Sequence, residues 1–351
     1  MAQPEHMTMN RTKKFEAGFS LLETMVAMAV LLGVGAIVMY GTVRMMNTQG
    51  TITNRTEMHS SVRSATELLQ QEIGQAGRIA PPLNVAGTQP ETMTLLTAVT
   101  TVANDTPVQV AVTISPDTAV SSLFNGEWIT VDAGLDLILH APQQESVQII
   151  CGNPCSNPVT ATFAINHLAG APVSVQGAFA YGVVPPSVAN GSSATVLKLF
   201  GDVNGDGNMV YVEYNCQQGT TTAPGFLYRN QIAWNALVKP ATDNSMILLN
   251  NVLTNPNDQN GNTFPCFQYQ TKTVGVCPGV FPSCIDFVTN VEVTLTEQTE
   301  FQDPTSKQFQ RETKALLNVS PRNVFNAWEL DSANLVNRVQ PMPPSVTLLL
   351  P

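Results

Sequence analysis

The chain has 351 residues, room for one large β-rich domain plus a further element, and only 12% of them are charged against roughly 25% in an average globular protein. Thr, Asn, Gln and Ser fill the shortfall, which fits neither a coiled coil nor a charge-driven disordered chain. Sixteen Lys and Arg against 26 Asp and Glu give a formal net charge of −10, which argues against a polyanion-binding surface, so no nucleic-acid partner is expected.

Residues 1–18 are polar and carry Arg11, Lys13 and Lys14; Phe19 then opens an apolar run that reaches Tyr40. A run of about 20 apolar residues is long enough to cross a bilayer, and the basic cluster ahead of it places the N-terminus in the cytoplasm and everything after Tyr40 outside. A cleaved secretory signal would end in a small-x-small site. Here the chain continues in helical style through Arg44, Met45 and Met46. The anomaly inside the run is Glu23, because a carboxylate in hydrocarbon is costly and needs a partner that this segment does not supply.

The stretch KKFEAGFSLLETMVAMAVLLG resembles the class III signal of type IV pilins and type II secretion pseudopilins. The resemblance implies that a prepilin peptidase cuts after Gly18 and that the new N-terminal residue, Phe19, is methylated. It also implies that Glu23, fifth in the mature chain, pairs with the terminal amine of a neighbouring subunit during assembly. The leader is then 1–18.

Beyond the membrane run, Val62, Ala65, Leu69, Ile73 and Ala76 recur at steps of three and four, with Arg63, Glu67, Gln70 and Gln71 on other faces. Gly77, Pro81 and Pro82 supply stop signals. One long helix over 19–79 is predicted, its first part (19–40) in the membrane and its second able to pack on a head formed by 80–351. From about residue 90 the pattern changes to short runs rich in Val, Thr, Ile and Leu between Gly, Pro, Asn and Asp. Among these runs are VQVAVTI, EWITVDA, DLILHA, SVQIICG, TVLKLFG, MVYVEYNC and FLYRNQIAW, with a half-buried strand over 287–296, a turn at Asp303–Thr305 and a return strand. The expected fold is α+β, a long N-terminal helix packed on a large antiparallel β-rich head.

Six cysteines, Cys151, Cys155, Cys216, Cys266, Cys277 and Cys284, all follow the membrane run, which suggests disulfides outside the cytosol. Zinc is the competing reading; the C-x3-C spacing and the absence of His near any Cys weigh against it. By loop length the simplest pairing joins Cys151 to Cys155 and Cys277 to Cys284, leaving Cys216 for Cys266.

Between two strand-like runs, Asp202, Asn204, Asp206, Asn208 and Glu213 follow the spacing D-x-N-x-D-G-x5-E of a calcium loop. We read a structural Ca2+ site at a β-hairpin, with Asp202, Asn204 and Asp206 as the firmer ligands, Asn208 through its carbonyl, and Glu213 the least certain to point inward. The alternative is an Asn-Gly or Asp-Gly hairpin turn that needs no metal. Asn257, Asp258 and Asn260 form a weaker look-alike that reads as a polar turn. No nucleophile elbow, H-E-x-x-H or phosphate loop is present, and His140 and His167 read as strand or loop residues, so no enzyme is expected. Trp128, Trp234 and Trp328 read as core in preference to a binding face.

The segments SATELLQQEIGQAGR, FNGEWITVDA, NHLAG, VYVEYNC with GFLYRN, and SPRNV loosely resemble the PilW-like minor pilins and the related J-type minor pseudopilins. The resemblance implies a type IV pilin-like fold and a minor pilin that primes assembly of a pilus or caps it, sits in the inner membrane before incorporation, and has other pilin subunits as partners. The rivals are a minor pseudopilin of a type II secretion system and a tip-presented adhesin or ligand-binding module. The tail from Asn326 to Pro351 matches nothing in that group.

Overall fold

The computed structural model describes residues 18, 20–80, 82, 91–100, 107–132, 144–275 and 284–351. Its first element, α1 (Leu21–Gln75), is an unbroken helix of 55 residues, about 82 Å long at 1.5 Å per residue. The helix stops at Gln75 and not near Ile79, because Ala76 leaves helical geometry and Gly77 takes φ +82°. The Gly77 N–H then donates to Phe200 O at 2.8 Å and its carbonyl accepts from Phe179 N at 3.0 Å. Chain and helix end come so close here that a Cβ on Gly182 would lie 2.2 Å from Gly77, a gap only glycine tolerates.

The head beyond this turn contains two seven-stranded sheets among the described residues. The first is built from β1 (Met93–Leu95), β2 (Val108–Val112), β3 (Ile114–Ser115), β4 (Trp128–Val131), β5 (Glu145–Ile150), β6 (Val159–Phe163) and β7 (Pro172–Val175), in the order β2-β6-β5-β4-β7-β1-β3, with the short helix α2 (Asp117–Val120) after β3. Its core is aliphatic: Leu95, Val112, Ile114, Ile129, Val131, Ile149 and Val159 are all buried. The expected strand VQVAVTI is broken at Thr113 into β2 and β3, and DLILHA lies outside the described residues.

After the two-residue strand β8 (Ala178–Phe179), the second sheet takes β9 (Val196–Gly201), β10 (Val210–Gln217), β11 (Gly225–Ala233), β12 (Ile247–Leu253), β13 (Phe267–Gly275), β14 (Cys284–Gln298) and β15 (Arg311–Val319). Strand pairing within both sheets is antiparallel. The 15-residue β14 is the hub. Val291 faces Tyr269 of β13 and Val319 of β15, whereas Thr296 faces Leu253 of β12 and Thr313 of β15. Strands β13 and β12 therefore follow one another along one side of β14, and β15 occupies the other.

Helix α1 lays its second half on this sheet. The five positions at steps of three and four, Val62, Ala65, Leu69, Ile73 and Ala76, are at most 1% exposed and share a core with Leu199, Val212, Leu249, Phe287, Val291 and Leu295. Burying a Leu or Ile side chain is worth about 1.5–3 kcal/mol, so this stripe is what fixes the helix to the head. One polar anchor lies within it. Glu72 accepts two hydrogen bonds from Arg229 Nε, at 3.0 and 3.2 Å, and further ones from Arg229 Nη2 and the Tyr214 hydroxyl.

The tail, which the sequence left unassigned, carries α3 (Arg322–Ser332), β16 (Val339–Gln340) and α4 (Pro344–Leu349). Val324 and Ala327 of α3 are buried, at helical spacing. Asn323 Nδ2 donates to Gln75 O at 3.0 Å and Ala76 O at 3.3 Å, so α3 caps the open carbonyls of α1. Strand β16 pairs in parallel with β8, and the fully buried Gln340 accepts from Trp128 N at 2.9 Å while donating to Trp128 O at 2.8 Å and Gln176 O at 3.0 Å. One side chain thus completes the backbone bonding of β4. A third core, with Phe124, Phe179, Phe200, Tyr211, Trp234, Val346, Leu349 and Leu350, joins the two sheets through the tail.

Candidate functional site

From Leu21 to Val43 α1 is apolar apart from Glu23, Thr24 and Thr42, and it is exposed throughout among the described residues. Its most apolar 18-residue window has a mean hydropathy of 2.3 with 0% of it buried, long and apolar enough to cross a membrane. Leu21, Leu31 and Ile37 are 79%, 72% and 73% exposed. A helix without a polar face is stable only inside an apolar surround, lipid or other helices. Gly18 is exposed just ahead of the helix, Phe19 lies outside the described residues, and Glu23 is an exposed acid in the first helical turn. A carboxylate there complements the positive end of the helix dipole. No described cation forms an ion pair with it.

The β14–β15 turn marks where exposure ends. Asp303 Oδ1 accepts from the amides of Thr305 and Ser306 at 2.9 and 2.7 Å, which shapes the turn. Its Oδ2 accepts from the Thr51 hydroxyl at 2.7 Å and Gln310 Nε2 at 3.0 Å. Arg55 Nε bonds the Gln310 side chain, and a Cβ on Gly50 would lie 3.3 Å from Pro304. The Ser306 amide, followed by Thr51, holds the Asp303 carboxyl down at about 2. Higher up, Glu297 is directly opposite Glu312, accepts from Ser61 Oγ at 2.8 Å, and is pushed up to about 7, by burial first and by Glu312 next. His59 of α1 pairs with Glu312.

The calcium-like segment is a hairpin turn between β9 and β10. Asp202 is buried and accepts from Gly207 N at 3.2 Å through Oδ1; Asp206 Oδ1 accepts from Asn208 N at 2.9 Å; Asn204 and Asn208 are exposed. The structure brings these four together and leaves Glu213 out. Glu213 lies inside β10, where it accepts from the Tyr211 hydroxyl at 2.8 Å and Lys239 Nζ at 2.9 Å, with Lys198 Nζ at 3.8 Å. A strand residue held by two lysines cannot close a twelve-residue loop. The side of the turn that Asp202 Oδ2 faces holds Arg78, with Nε at 3.4 Å. Burial pushes the Asp202 carboxyl up against the opposing pulls of Gly207 and Arg78. Asn257, Asp258 and Asn260 form a polar turn in which Asp258 Oδ1 accepts from Asn260 and Asn262 amides at 2.8 Å.

Disulfides join Cys151 to Cys155 and Cys216 to Cys266, the latter linking β10 to the start of β13. Cys284 is disulfide-bonded, and its expected partner Cys277 lies outside the described residues. His140 also lies outside them.

His167 is more than a loop residue. Its Nδ1 is 2.5 Å from Asp132 Oδ2, just past β4, and its Nε2 is 3.0 Å from Glu145 Oε2, at the start of β5. Both ring nitrogens of the buried His167 are thus within hydrogen-bond distance of carboxylates of the chain itself, and the cluster ties the end of β4 to the start of β5. Sequence reasoning missed it because the three residues come from separate strands and loops. Trp234 is core, set edge-on to Phe124, and Trp328 stacks under Lys272 Nζ at 3.7 Å.

A long apolar N-terminal helix followed by a β-rich head is the layout of pilin-like folds. No family model, no curated protein and no solved structure matches this chain.

Proposed function

We propose that the chain is a minor pilin that primes assembly of a type IV pilus or caps it. It waits in the inner membrane with its N-terminus cytoplasmic and its head periplasmic, and then enters the filament and reaches the cell surface. One observation carries this reading: α1 is exposed and predominantly apolar from Leu21 to Val43, bears Glu23 in its first turn, and continues unbroken into a half that is packed on the head. Such a segment needs an apolar surround both before and after assembly, and the carboxylate needs a cation from outside the chain. The terminal amine of a neighbouring subunit, exposed when prepilin peptidase cuts at Gly18, supplies it.

The test is mass spectrometry of the protein in sheared filaments, together with a Glu23→Ala variant. A methylated Phe19 N-terminus and a variant that is processed yet left out of filaments are expected. Intact Met1 or Ala2 in filaments, or normal incorporation of the variant, overturns the reading. A type II secretion pseudopilin shares this chemistry, and deletion separates the two: loss of pili supports the pilin, loss of secretion without loss of pili the pseudopilin.

A further inference from the structure

The D-x-N-x-D-G turn has oxygen ligands suited to a divalent cation, and the chain places a cation of its own against them. Asp202 has a side chain with 0% exposure, and its Oδ2 has no hydrogen-bond donor among the described residues. That atom is the buried oxygen a metal would be expected to take. Arg78, two residues beyond the cap of α1, approaches it with Nε at 3.4 Å. The same guanidinium reaches over the turn, since a Cβ on Gly205 would lie 3.3 Å from Arg78 Nη1. The main chain repeats the contact, with Asp202 N donating to Arg78 O at 2.9 Å. A guanidinium over this turn and a metal ion coordinated by Asp202 Oδ2 cannot coexist: both need the same oxygen, and the two positive charges repel.

We propose that the Asp202–Asn208 turn is a cation site whose resident cation is the Arg78 guanidinium, and that a divalent ion such as Ca2+ takes the site only when that side chain is removed. Asp202, Asn204 and Asp206 then supply side-chain oxygens and water completes the shell. The arrangement makes the hairpin independent of external calcium and keys it to the end of α1, because the Arg78 N–H donates a hydrogen bond to Gln75 O at 3.1 Å.

The experiment compares the full chain in detergent micelles as wild type, Arg78→Gln, Arg78→Lys and Arg78→Gln with Asp202→Asn, each in calcium and in chelator. The readouts are thermal unfolding and terbium luminescence sensitised by protein aromatics. Wild type and Arg78→Lys are expected to show no calcium shift and no saturable terbium signal. Arg78→Gln is expected to melt several degrees lower in chelator, to recover in calcium, and to bind terbium until Asp202→Asn is added. A calcium-dependent midpoint in the wild type overturns the proposal. So does an Arg78→Gln protein that keeps its near-ultraviolet dichroism yet binds neither ion. If Arg78→Gln does not fold, terbium binding by the wild type, read alone, still decides against it.

Discussion

The two halves of α1 belong to one continuous helix and follow opposite rules. From Leu21 to Val43 the helix is exposed and apolar apart from Glu23, Thr24 and Thr42; from Met58 to Gln75 an apolar stripe is buried, and Glu72 within it is tied to Arg229 and Tyr214. The second half is stabilised by its own chain, whereas the first depends on a surround the chain does not provide. The difference teaches that one continuous helix can join a self-packed half to a half that its own chain leaves uncovered, with the contact of the β14–β15 turn at Gly50–Arg55 as the border.

Equivalent changes in the two halves should therefore read out differently. The largest loss is expected from Glu72→Ala, which strands the Arg229 guanidinium in a partly buried site: about 3–5 kcal/mol in denaturant unfolding of the full chain in micelles. An effect below about 1 kcal/mol would mean that the stripe alone holds the helix. Leu69→Ala should cost about 2–5 kcal/mol by leaving a cavity, while Leu31→Ala should leave head unfolding within about 0.5 kcal/mol and act only on membrane retention or assembly. Equal effects of the two leucine changes would erase the border.

Smaller effects come from pH. Glu297, with its folded pKa raised from 4.5 to about 7, binds its proton more tightly in the folded state. Its favourable contribution is complete below about pH 4.5 and is lost as pH rises through 7. Glu297→Gln should raise the melting midpoint at pH 8 by roughly 2–4 °C, about 1 kcal/mol after solvent screening, and change it little at pH 4. The opposite sign applies to Asp303, whose pKa falls from 3.8 to about 2. Its contribution is complete above about pH 4 and is lost as pH falls toward 2. Asp303→Asn should remove that acid-side slope and speed hydrogen exchange in α1 near Gly50, with little change in the global midpoint at pH 7.

Much of the helix was legible from the chain: the five-position stripe, the apolar run and the glycine stop are local, periodic signals. The hairpin around Asp202 and the Cys151–Cys155 and Cys216–Cys266 pairs were also accessible, the first from turn residues and the others from loop length and elimination. What was hidden is long-range. Nothing near Asp202 in sequence points to Arg78, and nothing near Glu213 announces Lys239 as its partner. Helix α3 did carry a signal, Val324, Ala327 and Trp328 at helical spacing, but it is short and follows a strand. The division of the head into two sheets shows in no composition change, because both are built from the same Val- and Thr-rich runs.

Gln340 also matters for force. It grips the main chain of Trp128 and Gln176 in the first sheet, and its own backbone runs alongside Phe179. The same tail segment begins with α3, whose Asn323 holds the last carbonyls of α1. A pull on the first sheet therefore reaches the end of α1 both along the chain from β7 into β8, where Phe179 N donates to Gly77 O, and along the non-covalent route through Gln340 and α3. Tension applied to the first sheet would be shared between the two, so the tail would bear load and not merely fill space.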